Sequence, residues 1–302
     1  MTAPRMLTAE VAVPAQCELA EGPVWDGESQ RLLWIDILAG RVHNFDPATG
    51  SHSSFDVGGQ LGAAGLTTAG RLVLALETGF AVCDADGANL ERLPSPPIDS
   101  AVVRFNDGKP DPWGGFWAGT MQRDEGKDGL GSLYRLGPDG AVSELVSGVS
   151  LSNGLDWTDD LTRFYYVDSP TGQIDVFDTD PQTGALSNRR LFADVTPDEE
   201  GVPDGLTLDA DGGIWVAVWG TSELRRYNQD GNLDTVVRLP VSQVSSAAFG
   251  GPDLSTLYIT TAKENFTPAQ LAAEPHAGDI FQCEPGVSGR LPFRYAGPVT
   301  NE

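Results

Sequence analysis

The feature that most constrains this chain is a repeat. Six times a short β-rich run is followed, after a tight turn, by a second one: RLLWIDI then RVHNFDP, RLVLALE then FAVCDAD, GGFWAGT then SLYRLGP, RFYYVDS then QIDVFDT, GIWVAVW then ELRRYNQ, and TLYITTA then DIFQCEP. Branched and aromatic side chains favour the extended backbone, and the phrases DPATG, DADG, GPDG, DPQTG, DADGG and NQDG break it with turn residues. The copies recur roughly every 40–50 residues, the period of a four-stranded propeller blade. The expected fold is therefore all-β: a six-bladed β-propeller of four-stranded antiparallel blades, one domain over residues 1–302 with loose termini at 1–9 and 298–302. A two-sheet sandwich would not require six similar strand pairs at even spacing. Helical periodicity is absent, apart from a short helix expected at 268–273, where Thr267 can cap and Pro268 suits the first helical position.

The repeat also aligns oxygen-bearing side chains. Glu21-Gly22, Asn153-Gly154 and Asp204-Gly205 stand at one position, in EGPVW, NGLDW and DGLTL, directly before an apolar strand. Asn106-Asp107-Gly108 falls in the same slot, with Asn106 one residue further from its glycine. The second and sixth blades read GAAGL and SSAAFGG there. Arranged around an axis, two carboxylates and two amides would converge on one point. Asn-Gly and Asp-Gly are also strong turn signals, and each motif alone reads as a turn. Glu21 fits that reading poorly, since Glu is no turn former. A site with oxygen donors and no His or Cys suits one hard divalent cation, calcium first, with magnesium, manganese or zinc as alternatives.

Composition removes other classes. The net charge of −24, from 43 acidic against 19 basic residues, opposes binding to nucleic acid or an anionic membrane and favours a cation. Cys17, Cys83 and Cys283 form no C-x-x-C pair, which suits buried thiols in a reducing compartment, and the N-terminus has no apolar leader, so a cytoplasmic protein is expected. No Walker loop, G-x-S-x-G elbow or G-x-G-x-x-G fingerprint is present. His43 and His52 fall far from the glycine motifs, so a Ser-His-Asp triad is not expected. The D-x-D-G stretches at 84–87 and 209–212 lack the closing Glu of a calcium loop and read as turns between strands. Trp113, Trp117 and Trp219 can either wall a site or pack blades.

The stretches RFNDGKPDPWGGFWAGTM (104–121), LSNGLDWTDDLTRFYYVDS (151–169), FDTDPQTGALSNRR (177–190) and VPDGLTLDADGGIWVAVW (202–219) give the chain a specific resemblance. From about residue 18 to 297 it resembles the senescence marker protein/gluconolactonase family of calcium-dependent six-bladed propellers, which includes regucalcin-like proteins and bacterial sugar lactonases. The resemblance implies closure by a strand around 10–19 on the last blade. It places metal ligands at Glu21, Asn153 and Asp204, and substrate contacts at Arg104, Asn106 and, in a charged lid loop, Asp124. Regucalcin-like members carry Glu in place of Asp124. Gly220-Thr221 and Ser245-Ser246-Ala247-Ala248 also depart from the usual pattern. The implied activity is that of a carboxylic ester hydrolase in carbohydrate oxidation, cleaving a small-molecule sugar lactone to an aldonic acid. A metal held by the three ligands would polarise the carbonyl, and either Asp204 takes a proton from the attacking water or the metal activates that water directly. Two alternatives stay open: a phosphotriesterase of the diisopropyl fluorophosphatase type, and a calcium-binding regulatory protein without turnover. A monomer or small homo-oligomer is expected.

Overall fold

Each strand pair of the repeat gains an inner and an outer strand, so that six four-stranded blades result, one of which takes on a fifth strand. The computed structural model describes residues 3–123, 129–196 and 201–298. Blade one runs Ala20–Asp26, Arg31–Asp36, Arg41–Asp46, Ser51–Asp56, and blade two Leu61–Leu66, Leu72–Leu76, Gly79–Cys83, Glu91–Arg92. Blade three comprises Val103–Pro110, Phe116–Gln122, Gly131–Leu136 and Val142–Val149, and blade four Ser152–Trp157, Arg163–Asp168, Gln173–Thr179 and Leu186–Asp194. Blade five is built from Val202–Leu208, Ile214–Trp219, Glu223–Tyr227 and Leu233–Arg238, and blade six from Val244–Gly250, Thr256–Thr261 and Ile280–Cys283. The first strand of every blade packs against the first strand of the next, and the sixth returns to the first, which closes a ring around a central channel.

Closure uses the N-terminus. Glu10–Val13 pairs antiparallel with Ile280–Cys283 and supplies the fourth strand of blade six. Residues 5–8, inside the stretch expected to be loose, form a further strand, Arg5–Thr8, which lies parallel on Leu233–Arg238 of blade five. Two sheet edges are thereby covered by one short segment, which removes exposed ladders on which another chain could pair. At the other terminus, residues 299–302 lie outside the described residues. The helix Pro268–Ala273 forms as expected, with Thr267 and Gln270 making a reciprocal capping box. Among the described residues no helix is long and apolar enough to cross a membrane.

Large side chains fill the spaces between blades. Between blades three and four, Trp117 and Trp157 meet edge to face at 4.9 Å, with Phe164 and Tyr166 beside them, all buried. Trp117 is thus a packing residue, and its indole N–H donates to Asp111. Asp111 also accepts from the Gly115 N–H and pairs with Arg135. Asp209 repeats the pattern in blade five with Trp215, Gly213 and Arg226. The D-x-D-G stretch that begins at Asp209 is therefore a turn whose first carboxylate pins the next strand. Asp84 likewise closes a turn, accepting from Gly87 and donating to the Ala88 carbonyl through its backbone.

The channel differs at its two ends because the C-terminal segment crosses one of them. Over residues 288–296 this segment bonds to every blade: the Ser288 carbonyl to Ala210, the Gly289 N–H to Leu254, Arg290 to Asp156 and Asp159, Arg294 to Asp26, and the Tyr295 and Ala296 N–H groups to Leu66 and Gly114. Among the described residues no segment crosses the opposite mouth in this way.

Adjacent inner strands approach more closely than side chains allow. A Cβ on Gly154 would lie 2.6 Å from the Leu206 nitrogen and 2.7 Å from the Asp204 oxygen, and one on Gly205 would lie 2.2 Å from Ser246 Oγ. Since backbone atoms cannot yield as a flexible side chain can, Gly154→Ala is expected to cost about 1–3 kcal/mol of stability. A urea denaturation series on Gly154→Ala and Gly205→Ala checks this. Midpoints equal to that of the parent chain in both variants would show that the ring does not depend on these contacts.

Candidate metal centre and substrate cavity

Every inner strand carries one extra residue relative to its neighbour, at the same height in the ring. In blade five Pro203 pairs with Val218 and Leu206 with Val216, three steps against two. Equivalent irregularities fall between Glu21 and Val24, Leu61 and Ala63, Phe105 and Gly108, Ser152 and Leu155, and Val244 and Ser246. Such a bulge re-aims the side chain next to it. Asn106, Asn153 and Asp204 are unpaired bulge residues, and Glu21 borders the bulge in blade one. All four line a cavity of about 210 Å³ at the open mouth, together with Arg104, Met121, Leu151, Ser169, Val202, Trp219 and Glu264.

The register of Asn106 differs from the expectation. Asp111 and Asp209 hold the same Trp and Gly partners, so Asn106 and Asp204, each five residues earlier, are equivalent. Asp107 stands where blades four and five have Gly154 and Gly205. The apparent displacement came from aligning on the glycine. Nor are Gly154 and Gly205 turn residues: both lie within strands, at ordinary φ.

A directed chain of hydrogen bonds orients the two amides. Arg104 Nη1 donates to Asn106 Oδ1 at 2.8 Å and to the Phe105 carbonyl at 3.0 Å. Asn106 Nδ2 donates to Asn153 Oδ1 at 3.0 Å and to the Ser152 carbonyl at 2.9 Å. Asn153 Nδ2 in turn donates to Ser169 Oγ at 2.8 Å, and Ser169 donates to the Pro203 carbonyl at 2.7 Å. The Asn153 amide is thereby fixed, its nitrogen on Ser169 and its oxygen towards Asn106. The loops that lead into these strands are held from behind: Asp36 accepts N–H groups of Glu18 and Leu19, and Asp168 accepts those of Ser150 and Leu151.

Glu21 and Asp204 are buried and meet carboxyl to carboxyl. Burial, followed by the charge of Asp107, lifts Glu21 to about 8 against the pull of the Gly22 N–H, Arg104 and Asp204. Burial, then Glu21 and Asp107, pushes Asp204 well above the usual carboxylate range. Arg104 is itself lowered to about 10, chiefly by desolvation. Two buried acids facing one another, with the amide of Asn153 lining the same cavity, form a set of oxygen donors. Oxygen donors of this kind fit a hard divalent cation.

Among the expected site residues, Glu21, Asn153, Asp204, Arg104 and Asn106 come together here, and Asp124 lies outside the described residues. Of the three tryptophans, Trp219 walls the cavity. Trp113 instead donates to the Pro181 carbonyl outside it. Sequence reasoning missed Glu264, whose carboxyl is raised mainly by burial and acts on Arg104. It missed Ser169 as well. Neither sits on a repeated motif, although Ser169 directly follows the Asp168 that blade four shares with Asp36.

Comparison with known proteins identifies the family. The SMP-30/Gluconolactonase/LRE-like region model matches residues 19–263. YvrE of Bacillus subtilis, named as a sugar lactone lactonase, is 36% identical over 97% of this chain and 100% of its own. A 6-deoxy-6-sulfogluconolactonase of Pseudomonas putida is 36% identical over 96% of this chain and 99% of its own. The crystal structure of a calcium-binding regucalcin from Agrobacterium tumefaciens superposes with a TM-score of 0.92 at 29% identity, covering 98% of this chain and 99% of that one. The chain belongs to the SMP-30/gluconolactonase/LRE-like family.

Proposed function

We propose that this protein is a divalent-metal-dependent hydrolase of sugar lactones, opening an aldonolactone to the aldonic acid. The observation that carries the reading is the facing pair Glu21 and Asp204, with the Asn153 oxygen beside them, at the floor of a cavity open at one mouth. Relatives named for lactone hydrolysis support it. Glu21, Asn153 and Asp204 would hold the ion, calcium by donor type, with zinc, magnesium or manganese as alternatives. When bound, such an ion supplies Lewis-acid stabilisation of negative charge on an acyl oxygen and favours ionised carboxylates at the site. Asp204 would take a proton from the attacking water. Arg104, locked to Asn106, would offer its remaining guanidinium N–H groups to ring and hydroxyl oxygens of the sugar, the Asn106 oxygen would accept from a hydroxyl, and the two would orient the lactone. Met121, Leu151, Val202 and Trp219 form an apolar wall that shields the reacting carbonyl. Asp124 is proposed as a further hydroxyl contact from the lid loop. Three free cysteines suit a cytoplasmic setting.

A pH-stat panel of aldonolactones and fluorophosphates, each metal being added in turn to chelator-stripped protein, tests the reading. Metal-dependent turnover of lactones is expected, with kcat/KM falling about a hundredfold or more in Asp204→Asn and Glu21→Gln while the folded circular dichroism persists. Calcium binding without turnover across the panel would leave a regulatory protein, and preference for fluorophosphates a phosphotriesterase. Either outcome removes the lactonase assignment.

The same carboxylates make a prediction for stripped protein. Glu21 rises from 4.5 to about 8 on folding, so the folded chain keeps a proton that the unfolded chain releases. That contribution to stability is complete below about pH 4.5 and is lost as pH rises through about 8. Melting temperature of the stripped protein is expected to fall across this window, less steeply in Glu21→Gln, and calcium is expected to flatten the fall. A slope identical in Glu21→Gln and the parent chain would show that Glu21 does not titrate this way.

A further inference from the structure

Blade one contains a group of side chains that the channel does not use. Cys17, Asp36 and His43 are buried, and one donor atom from each lies within 4.8 Å of the other two. Cys17 Sγ and His43 Nε2 are 3.7 Å apart. On its far side, His43 Nδ1 lies 3.0 Å from His52 Nε2. Both imidazoles stack on Trp34, with ring centroids 5.0 Å away, and the Trp34 N–H points at Cys17 Sγ.

The repeat accounts for only one member of this group. Blade four is the nearest copy of blade one: Trp34 pairs with His43 across the sheet as Tyr166 pairs with Asp175. Asp36 and Asp168 hold the same loop N–H groups, so Asp36 is a structural residue of the repeat. The blade-four counterparts of Cys17 and His43 are Val149 and Asp175, an aliphatic side chain and an acid paired with Arg189. Neither is a soft donor. Blade one has placed a thiol and an imidazole next to a carboxylate that the fold already requires.

We propose that Cys17, His43 and Asp36 form a cation site inside blade one, separate from the channel, for a divalent ion that accepts sulfur and nitrogen donors, zinc being the natural occupant. Zinc–sulfur and zinc–nitrogen bonds of about 2.3 and 2.0–2.1 Å at a tetrahedral angle put the two donors about 3.6 Å apart. The observed 3.7 Å between Cys17 and His43 agrees with that edge. Asp36 accepts three backbone N–H groups, from Glu18, Leu19 and Ala39. Its two oxygens offer about four lone-pair positions, which leaves one for the ion. His52 takes the role of the outer partner, receiving the Nδ1–H of His43 and fixing the tautomer that directs Nε2 at the ion. Binding would replace the thiol proton of Cys17 by the metal and release that proton to solvent.

The test uses the metals alone. Chelator-stripped full-length protein is titrated with cobalt(II), and the thiolate-to-cobalt charge-transfer absorption in the near ultraviolet is followed. The parent chain and Asp204→Asn are expected to show it, and Cys17→Ser and His43→Gln to lose at least most of it. Zinc bound after gel filtration is expected to fall by one equivalent per chain in Cys17→Ser. No charge-transfer band in the parent chain, or an undiminished band in both Cys17→Ser and His43→Gln, overturns the proposal. Lactone hydrolysis by Cys17→Ser is expected to stay within about twofold of the parent, because the channel residues are untouched. Failure of this site and failure of the lactonase reading therefore give different results.

Discussion

The close approach of neighbouring inner strands sets the dimensions of everything else in this molecule. Gly62 lies against Phe105 and Asn106, Gly154 against Asp204 and Leu206, and Gly205 against Ser245 and Ser246. In each case the missing Cβ lets one blade's backbone touch the next. A ring drawn this tight brings groups from blades as remote in sequence as the first and the fifth into direct contact. Glu21 and Asp204 are buried against one another there, and both pKa values are raised, first by burial and then by neighbouring acids.

The fold was legible because a propeller repeats its instructions. Strand pairs such as RFYYVDS and QIDVFDT, and turns such as DADGG, recur often enough to override the ambiguity of any single copy. The helix after Thr267 was legible for a different reason, since its capping box is local. Contacts that join distant segments left no such trace. The C-terminal crossing of the closed end depends on Arg290 meeting Asp156 and Arg294 meeting Asp26, and no local pattern announces either pair. Arg5–Thr8 is equally silent, being a short segment held only by its parallel partner.

Which residues of the candidate site are equivalent could not be read from the glycines alone. Asn-Gly and Asp-Gly are common both to turns and to bulged strands packed at close quarters, and the letters do not separate the two uses. Aligning on glycine put Asn106 one residue out of step. Aligning on Asp111 and Asp209, whose carboxylates pin a Trp indole and a Gly N–H in the same way, restores the equivalence of Asn106 and Asp204. The residue that results in the glycine position is Asp107, a third buried acid just beneath the site, itself raised to about 6, chiefly by burial.

The two ends of the channel treat buried acids differently. At the closed end Asp156 is also buried, and burial alone would raise its pKa, yet Arg290 and Lys109 hold it below the usual range. The fold can therefore supply cations to a buried carboxylate when stability is the only requirement. At the open end it brings Glu21 and Asp204 together and spends the nearest guanidinium, Arg104, on the oxygen of Asn106 and the carbonyl of Phe105. That amide then hands its own proton donors to Asn153 and the Ser152 carbonyl, so the guanidinium's donation is passed along the amides and not to the acids. A structural ion pair would have neutralised the acids, as at Asp156. With Arg104 so engaged, burial keeps both acids raised, the arrangement on which the proposed metal-dependent function rests.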